Sequence, residues 1–381
     1  MLKRNTKKRT LRSKRWKAEG EFTLGFPVFM TFKSFENAKF VVMKIAFNIF
    51  AICLSLVVFN SCEESTPEAS GSFQEIKQAP QDYLEQLSDQ IIERPNDGNL
   101  YVKRALAYTD RNLMELAVKD AERAVIIDST VSYYHQVLGE VNFLKGDLRP
   151  ARLSLEQATQ LDPTNTDALL KLAEVRFLLR RYDEAIIAVN DALKENEQLA
   201  QGYFIKGYIY KETGDTTTSI SSFQTAVEVN PDFYEAYMEL GSLYAFQGDP
   251  IALEYFNSAL DIRPNSAEAF YHKGMFLQAG NRIDQARDTY FELLNADPNN
   301  VLAYYNLGYL YLTEYLAFDT AVAYFDSAAT VRPDYVDAIY NRGLAYEESE
   351  LFGEAENSYR EALLLDPQYD LAAKGLSRIL E

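Results

Sequence analysis

Histidine and cysteine are nearly missing: each occurs twice in 381 residues, and tryptophan once. Two cysteines make no disulfide framework. His135 and His272 give almost no material for a zinc site or for imidazole acid–base chemistry. There is no Gly-rich phosphate loop, no Gly-x-Ser-x-Gly turn and no His-Glu-x-x-His helix. Carboxylates are plentiful, but none has a setting that marks it for acid–base work. These gaps predict a protein that is not an enzyme and that holds no cofactor and no metal. Hydrophobic residues at 47% and charged residues at 25% exclude wholesale disorder. Aromatic content is high, with 26 Tyr and 23 Phe.

Charge is divided unevenly. The chain carries a formal −18, yet residues 1–62 hold 12 Lys and Arg against 3 Asp and Glu. The remaining 26 basic and 53 acidic residues give residues 63–381 a net of −27. A body that acidic repels nucleic-acid phosphates and anionic headgroups, so no nucleic-acid partner is expected. Its acidity serves either as a solvated surface or as an attraction for a basic partner.

The basic end reads as a targeting segment. Met43 and Lys44 open an apolar run over residues 45–59, interrupted only by Asn48 and Ser55, which then reaches Asn60, Ser61 and Cys62. Fifteen residues suit the hydrophobic part of an export signal and are short for a membrane span. Residues 63–80 follow as a flexible tether whose first ten positions are small or polar. This end resembles a bacterial lipoprotein signal, in which a cysteine after a small residue is acylated and becomes the first mature residue. Ser61 and Cys62 match that pattern, and Phe59 departs from its usual aliphatic residue. The resemblance implies lipidation at Cys62, a signal peptide over 43–62 and a stable membrane anchor. Met43 is then the expected initiator and residues 1–42 an over-extended, disordered start. The other reading of Cys62 is an unmodified residue in an uncleaved anchor, and of 1–42 a real cytoplasmic extension. Glu63 and Glu64 after the cysteine resemble lipoproteins of the Bacteroidetes group. The expected location is the bacterial outer membrane, facing either the periplasm or the cell surface.

The body repeats. A small residue recurs at Ala105, Gly139, Ala173, Gly207, Gly241, Gly274, Gly308 and Gly343, at spacings of 33 to 35. A second series, from Ser129 through Pro163, Glu197, Pro231, Pro264, Pro298 and Pro333 to Pro367, keeps step with it. So do two alanine series, one starting at Ala117 and Ala151, the other at Ala124 and Ala158. Four registers moving together establish an internal repeat. Each period fits two helices of about 14 residues and two short turns. Small residues let the helices cross closely. Phe223, Phe256, Tyr290, Phe325 and Tyr359 are placed to fill around them. Gly146, Gly214 and Gly248 stand where the first helix must turn, and the prolines where the second must stop.

This pattern resembles the tetratricopeptide repeat family over residues 98–368, as eight repeats. Repeat five carries Tyr237, Leu240, Gly241, Tyr244, Gly248, Ala252, Phe256, Ala259 and Pro264 in the family's order. Repeat five is one residue short, repeat seven one residue long near Leu316, and repeats one and three lack the closing proline. The resemblance implies an all-α, right-handed superhelix (an α-solenoid) whose first helices line a concave groove. Residues 81–97 are expected as a capping helix from a degenerate repeat, and 369–381 as a cap at the other end. In that last helix Leu371, Leu376, Ile379 and Leu380 are expected to cover repeat eight, while Lys374 and Arg378 stay in water.

The resemblance also places groove residues. In the C-terminal half these are Phe204, Tyr208, Met238, Tyr271, His272, Met275, Tyr305, Asn306, Tyr309, Tyr340 and Asn341. Asn306 and Asn341 take the position from which family members hydrogen-bond a bound peptide backbone. The aromatic and thioether groups form either a contact surface for a partner or packing between repeats. No fifth-position residue is basic, so a clamp for a C-terminal carboxylate is not expected. Glu140, Asp167, Glu174 and Gln201 face the same groove farther toward the N-terminus. His135 is expected in the core and His272 at the groove's edge. The implied function is a membrane-anchored scaffold that binds an extended or helical, possibly basic, segment of another protein in a cell-envelope complex. The alternatives are a binder of glycan or peptidoglycan fragments and a cytosolic adaptor. Oligomeric state is not readable.

Overall fold

A computed structural model describes residues 81–381. The expectations for residues 1–42, the signal over 43–62, Cys62 and the tether over 63–80 lie outside the described residues. Eighteen helices follow one another in the rest, and no strand occurs among the described residues. A lone helix, α1 (Gln81–Glu93), precedes eight hairpins. These are α2 (Gly98–Asp110) with α3 (Met114–Ile127), α4 (Ser132–Lys145) with α5 (Leu148–Leu161), α6 (Thr166–Leu178) with α7 (Tyr182–Glu195), and α8 (Ala200–Thr213) with α9 (Thr216–Val229). Then come α10 (Tyr234–Gln247) with α11 (Ala252–Ile262), α12 (Ala267–Ala279) with α13 (Ile283–Ala296), α14 (Val301–Thr313) with α15 (Phe318–Val331), and α16 (Val336–Glu348) with α17 (Phe352–Leu365). Helix α18 (Asp370–Leu380) closes the array.

Each helix packs on the next, and the first helices of successive repeats also touch across the hairpins between them. Consecutive second helices do not approach as closely. The array therefore curves with its first helices on the inner side, which makes a concave face. The hairpin itself is held by size matching at two positions. Gly207, Gly241, Gly274, Gly308 and Gly343 each face the ring of the second helix of their own repeat. A Cβ on Gly241 would lie 2.5 Å from Cε1 of Phe256, and one on Gly207 2.5 Å from Cε1 of Phe223. Gly139 meets Leu155 in the same way. Repeats one and three bear Ala105 and Ala173 instead, and there the opposed register positions hold the smaller Ala121 and Val189.

The turns correct the sequence reading twice. Gly146, Gly214 and Gly248 adopt the expected left-handed conformation after their helices. The other five hairpins make the same turn with Asn112, Arg180, Asn281, Leu316 and Glu350, at φ between 52° and 64°. Asn tolerates that conformation best, and the rest do so at some cost. The second correction concerns where second helices stop. Asp162, Asn230, Asp297 and Asp366 precede proline, but Asp128 and Asn196 end the helices that lack one. In all six the side chain accepts the backbone N–H two residues on, as in Thr130→Asp128 at 2.9 Å and Gln198→Asn196 at 2.9 Å. The aspartate or asparagine turn therefore stops the helices that lack proline, while Arg263 and Arg332 end theirs before Pro264 and Pro333 without such a turn, so the two devices stand in for each other.

The caps also differ in detail. Leu87 and Ile91 of α1 are buried against the first hairpin. On α18 the close contact is made by Ala372 and Gly375, whose added Cβ would stand 2.7 Å from Cζ of Tyr359. Leu371, Leu376 and Ile379 are half-buried, but Leu380 is 60% exposed and covers nothing. Arg378 does not simply face water. It donates two bonds to Glu347, at 2.6 and 2.7 Å, and Tyr359 donates a third at 2.6 Å.

Candidate functional site

The concave face is built from first helices, and the structure divides the groove residues expected there into two sets. Phe204, Met238, Tyr305 and Tyr340 are buried, which corrects their placement as open groove contacts. Each of the three rings sits between the second-helix ring of its own repeat and an aromatic residue that opens the next repeat. Phe204 lies 5.5 Å from Phe223 and 4.6 Å from Phe233. Tyr305 lies 5.8 Å from Phe325 and 5.2 Å from Tyr335. Tyr340 lies 5.7 Å from Tyr359 and 5.6 Å from Tyr369. These rings are joints between repeats. Asn341 is committed as well: its Nδ2 donates to the Tyr305 hydroxyl at 3.1 Å and to the Asp337 carbonyl at 2.8 Å.

Tyr208, Tyr271, His272, Met275 and Tyr309 stay half-exposed. Tyr208 donates to Glu239 at 2.7 Å, and Lys211 binds the other oxygen of that carboxylate. Asn306 is unlike Asn341. It is 8% exposed, and its amide makes no hydrogen bond among the described residues. Tyr335 interacts electrostatically with Tyr271, and Tyr309 and Tyr335 with Tyr305, the residue before Asn306; the hydroxyls of Tyr271, Tyr309 and Tyr335 find no partner among the described residues. Burial raises the pKa of all three above the usual phenol range, so they remain protonated donors. Tyr335 was not among the expected residues. Its signal was present, because Tyr335 and Tyr369 stand 34 apart and Phe233 stands 102 before Tyr335, at the threshold of a repeat.

His135 is only partly covered, and its Nε2 lies 2.9 Å from the carbonyl of Ser129, while the adjacent Tyr134 takes the buried place. His272 stacks at 6.0 Å on Phe256 and lies 5.8 Å from Tyr271. Burial lowers its pKa, against the pull of Glu268 and Glu239. Its neutral form is therefore favoured in the fold. The stability it contributes is complete above the ordinary histidine pKa and is lost as pH falls through that value toward the lowered one. His272→Phe is expected to lose less stability than the unaltered protein between pH 7 and pH 5, as melting temperatures at both would show. Equal losses would mean that His272 is not shielded as described. Among the described residues no cluster of His, Cys, Asp and Glu is set to hold a metal. No helix among them is long and apolar enough to cross a membrane.

The fold and face define an α-solenoid of helical hairpins with an aromatic, partly unsatisfied inner surface. The hairpins are tetratricopeptide repeats: matches to that family cover residues 143–202, 252–308, 200–233 and 336–369. Tetratricopeptide repeat protein 37 of Xenopus laevis is 23% identical over 299 residues, 76% of this chain and 19% of that protein. The peroxisomal targeting signal receptor of Candida albicans is 27% identical over 242 residues, 58% of this chain and 39% of the receptor. The chain thus spans well under half the length of these relatives. Among solved structures, the C-terminal part of a TPR repeat-containing protein from Cytophaga hutchinsonii superposes with a TM-score of 0.56 at 18% identity, over 62% of this chain and 98% of that one. That likeness shows the fold.

Proposed function

We propose that this chain is an interaction scaffold whose groove takes a segment of another protein against Tyr271, Met275, Asn306 and Tyr309. Asn306 carries the reading. Its amide makes no hydrogen bond among the described residues and is not sealed from water, so it is free to bond a segment laid in the groove. The half-exposed rings beside it offer contact area at little entropic cost. The relation to a targeting signal receptor accords with such a role. The second part of the proposal concerns place. The run over residues 45–59 and the Ser61–Cys62 pair support acylation of Cys62 and attachment to a bacterial outer membrane, in a cell-envelope complex.

Cross-linked pull-down of full-length tagged protein from native membranes tests the groove. A partner captured by the unaltered protein should be lost with Tyr271→Glu/Tyr309→Glu, at an unchanged melting temperature. Both tyrosines are partly exposed at the rim of the core they pack against, so charge there meets the open side of the groove first. Identical capture by both proteins rejects the groove. Labelling with an alkyne fatty acid tests the anchor, since Cys62→Ser should abolish the label.

A further inference from the structure

Farther along the same face, Lys171 pairs with Glu174 and acts on Glu140, which Asp167 also faces electrostatically. Glu140 of α4 accepts the Gln136 amide at 2.9 Å, and Gln136 in turn accepts from Asn165 at 2.8 Å. On α6, Lys171 reaches Glu174 at 2.6 Å and lies 4.8 Å from the ring centre of Phe143. Glu174 is 1% exposed, whereas Asp167 is open to solvent. Lys171, Asp167 and Glu174 all act electrostatically on Glu140. Burial raises the pKa of both glutamates, and Lys171 offsets this only in part. A second, independent observation lies on α8. The Gln201 side chain stands beside Glu174, and both its amide oxygen and nitrogen are shielded from water without a well-formed hydrogen bond. The Gln201 amide at the acidic end is thus sealed from water without a well-formed bond, and the Asn306 amide at the aromatic end makes no bond within the described residues. The surrounding body, at a net of −27 over residues 63–381, favours a cation throughout.

We infer that the occupant is an extended segment that seats a lysine or arginine side chain among Glu140, Asp167 and Glu174 and lays an apolar or aromatic side chain against Tyr271 and Tyr309. This rests on the groove reading above and adds the occupant's charge and direction. Glu174 and Tyr271, the nearest parts of the two ends, are three repeats apart. With neighbouring helices spaced about 10 Å apart, that shortest span is roughly 30 Å, or about nine extended residues. A cation entering the acidic end favours the ionised form of carboxyl groups whose ionisation burial opposes, beside the open Asp167. An acidic segment would meet repulsion there instead.

A displayed library of random peptides about 12 residues long, long enough for that span, is selected on the full-length protein in detergent. The enriched sequences are expected to carry Lys or Arg toward one end and an apolar or aromatic residue toward the other. A representative peptide should lose about tenfold in affinity on Glu140→Gln/Asp167→Asn, and also on raising the salt. Its complex should be lost on Tyr271→Glu. Enriched peptides that depend on Tyr271 but lack basic residues, or that ignore the Glu140→Gln/Asp167→Asn change, overturn the cationic end and leave the groove reading standing. If no enriched peptide depends on Tyr271, the groove reading fails and the charge assignment fails with it.

Discussion

Phe256→Ala is expected to lower stability by about 3–5 kcal/mol, because a fully buried ring is removed from a site whose walls are helices and cannot collapse. The ring stands over Gly241 so closely that an added methyl there would overlap it. Gly241→Ala alone should therefore destabilise, by about 1–3 kcal/mol, through forced displacement of Phe256. The two changes together should cost less than their sum, because the methyl added at position 241 enters space the ring has left. Repeat one already carries that combination, with Ala105 and Ala121 at the same two register positions and both fully buried. A double-mutant cycle by urea unfolding measures the coupling, expected at about 1 kcal/mol or more. Strict additivity would mean that the glycine is not there to admit the ring. Because each repeat touches chiefly its neighbours, the loss should also broaden the transition as repeats five and six uncouple from the rest.

That interlock explains why the fold was legible from the residues. Gly207 with Phe223, Gly274 with Tyr290 and Gly308 with Phe325 recur at a fixed offset, and a size match so constrained leaves its mark on every period. The helix ends were legible where they depend on glycine and less so where another residue adopts the same backbone. Nothing in the local sequence singles out Arg180 or Glu350 as left-handed; the hairpin's closure imposes it. The groove was harder still. Tyr305 and Tyr309 lie one helical turn apart and look alike in sequence, yet Tyr335 covers the first and leaves the second half-exposed. Asn306 and Asn341 occupy equivalent positions, and only the second finds a hydroxyl to bond, that of Tyr305. Which face a residue presents follows from the period. Whether a neighbouring repeat fills the space before it depends on one side chain in that neighbour.

Asp120→Ala is expected to be as costly as the loss of Phe256, for an electrostatic reason. Arg104 of α2 makes a two-bond contact with Asp120 of α3, Nε to Oδ2 at 2.6 Å and Nη2 to Oδ1 at 2.9 Å. Its third donor reaches Ser88 of α1 at 3.0 Å, and the rings of Tyr101 and Tyr108 stand 5.8 Å from the guanidinium carbon. The side chains are only 17% and 8% exposed. Removing the carboxylate leaves a covered cation without a counter-charge, which in such settings costs about 3–5 kcal/mol. Replacing both partners, as Arg104→Met/Asp120→Ala, should recover most of that loss, since the apolar stem still packs and no charge is stranded. Ser88 ties this pair to the capping helix, so the damage should be local. Hydrogen exchange should accelerate over residues 81–127 in Asp120→Ala and stay unchanged in α16 and α17, nearly the whole array away. A uniform acceleration would show that the array melts as one unit and that the pair does not act as a clasp for its first end. Unchanged exchange in the capping helix, with the loss confined to α2 and α3, would show that the Ser88 bond contributes nothing to holding the cap.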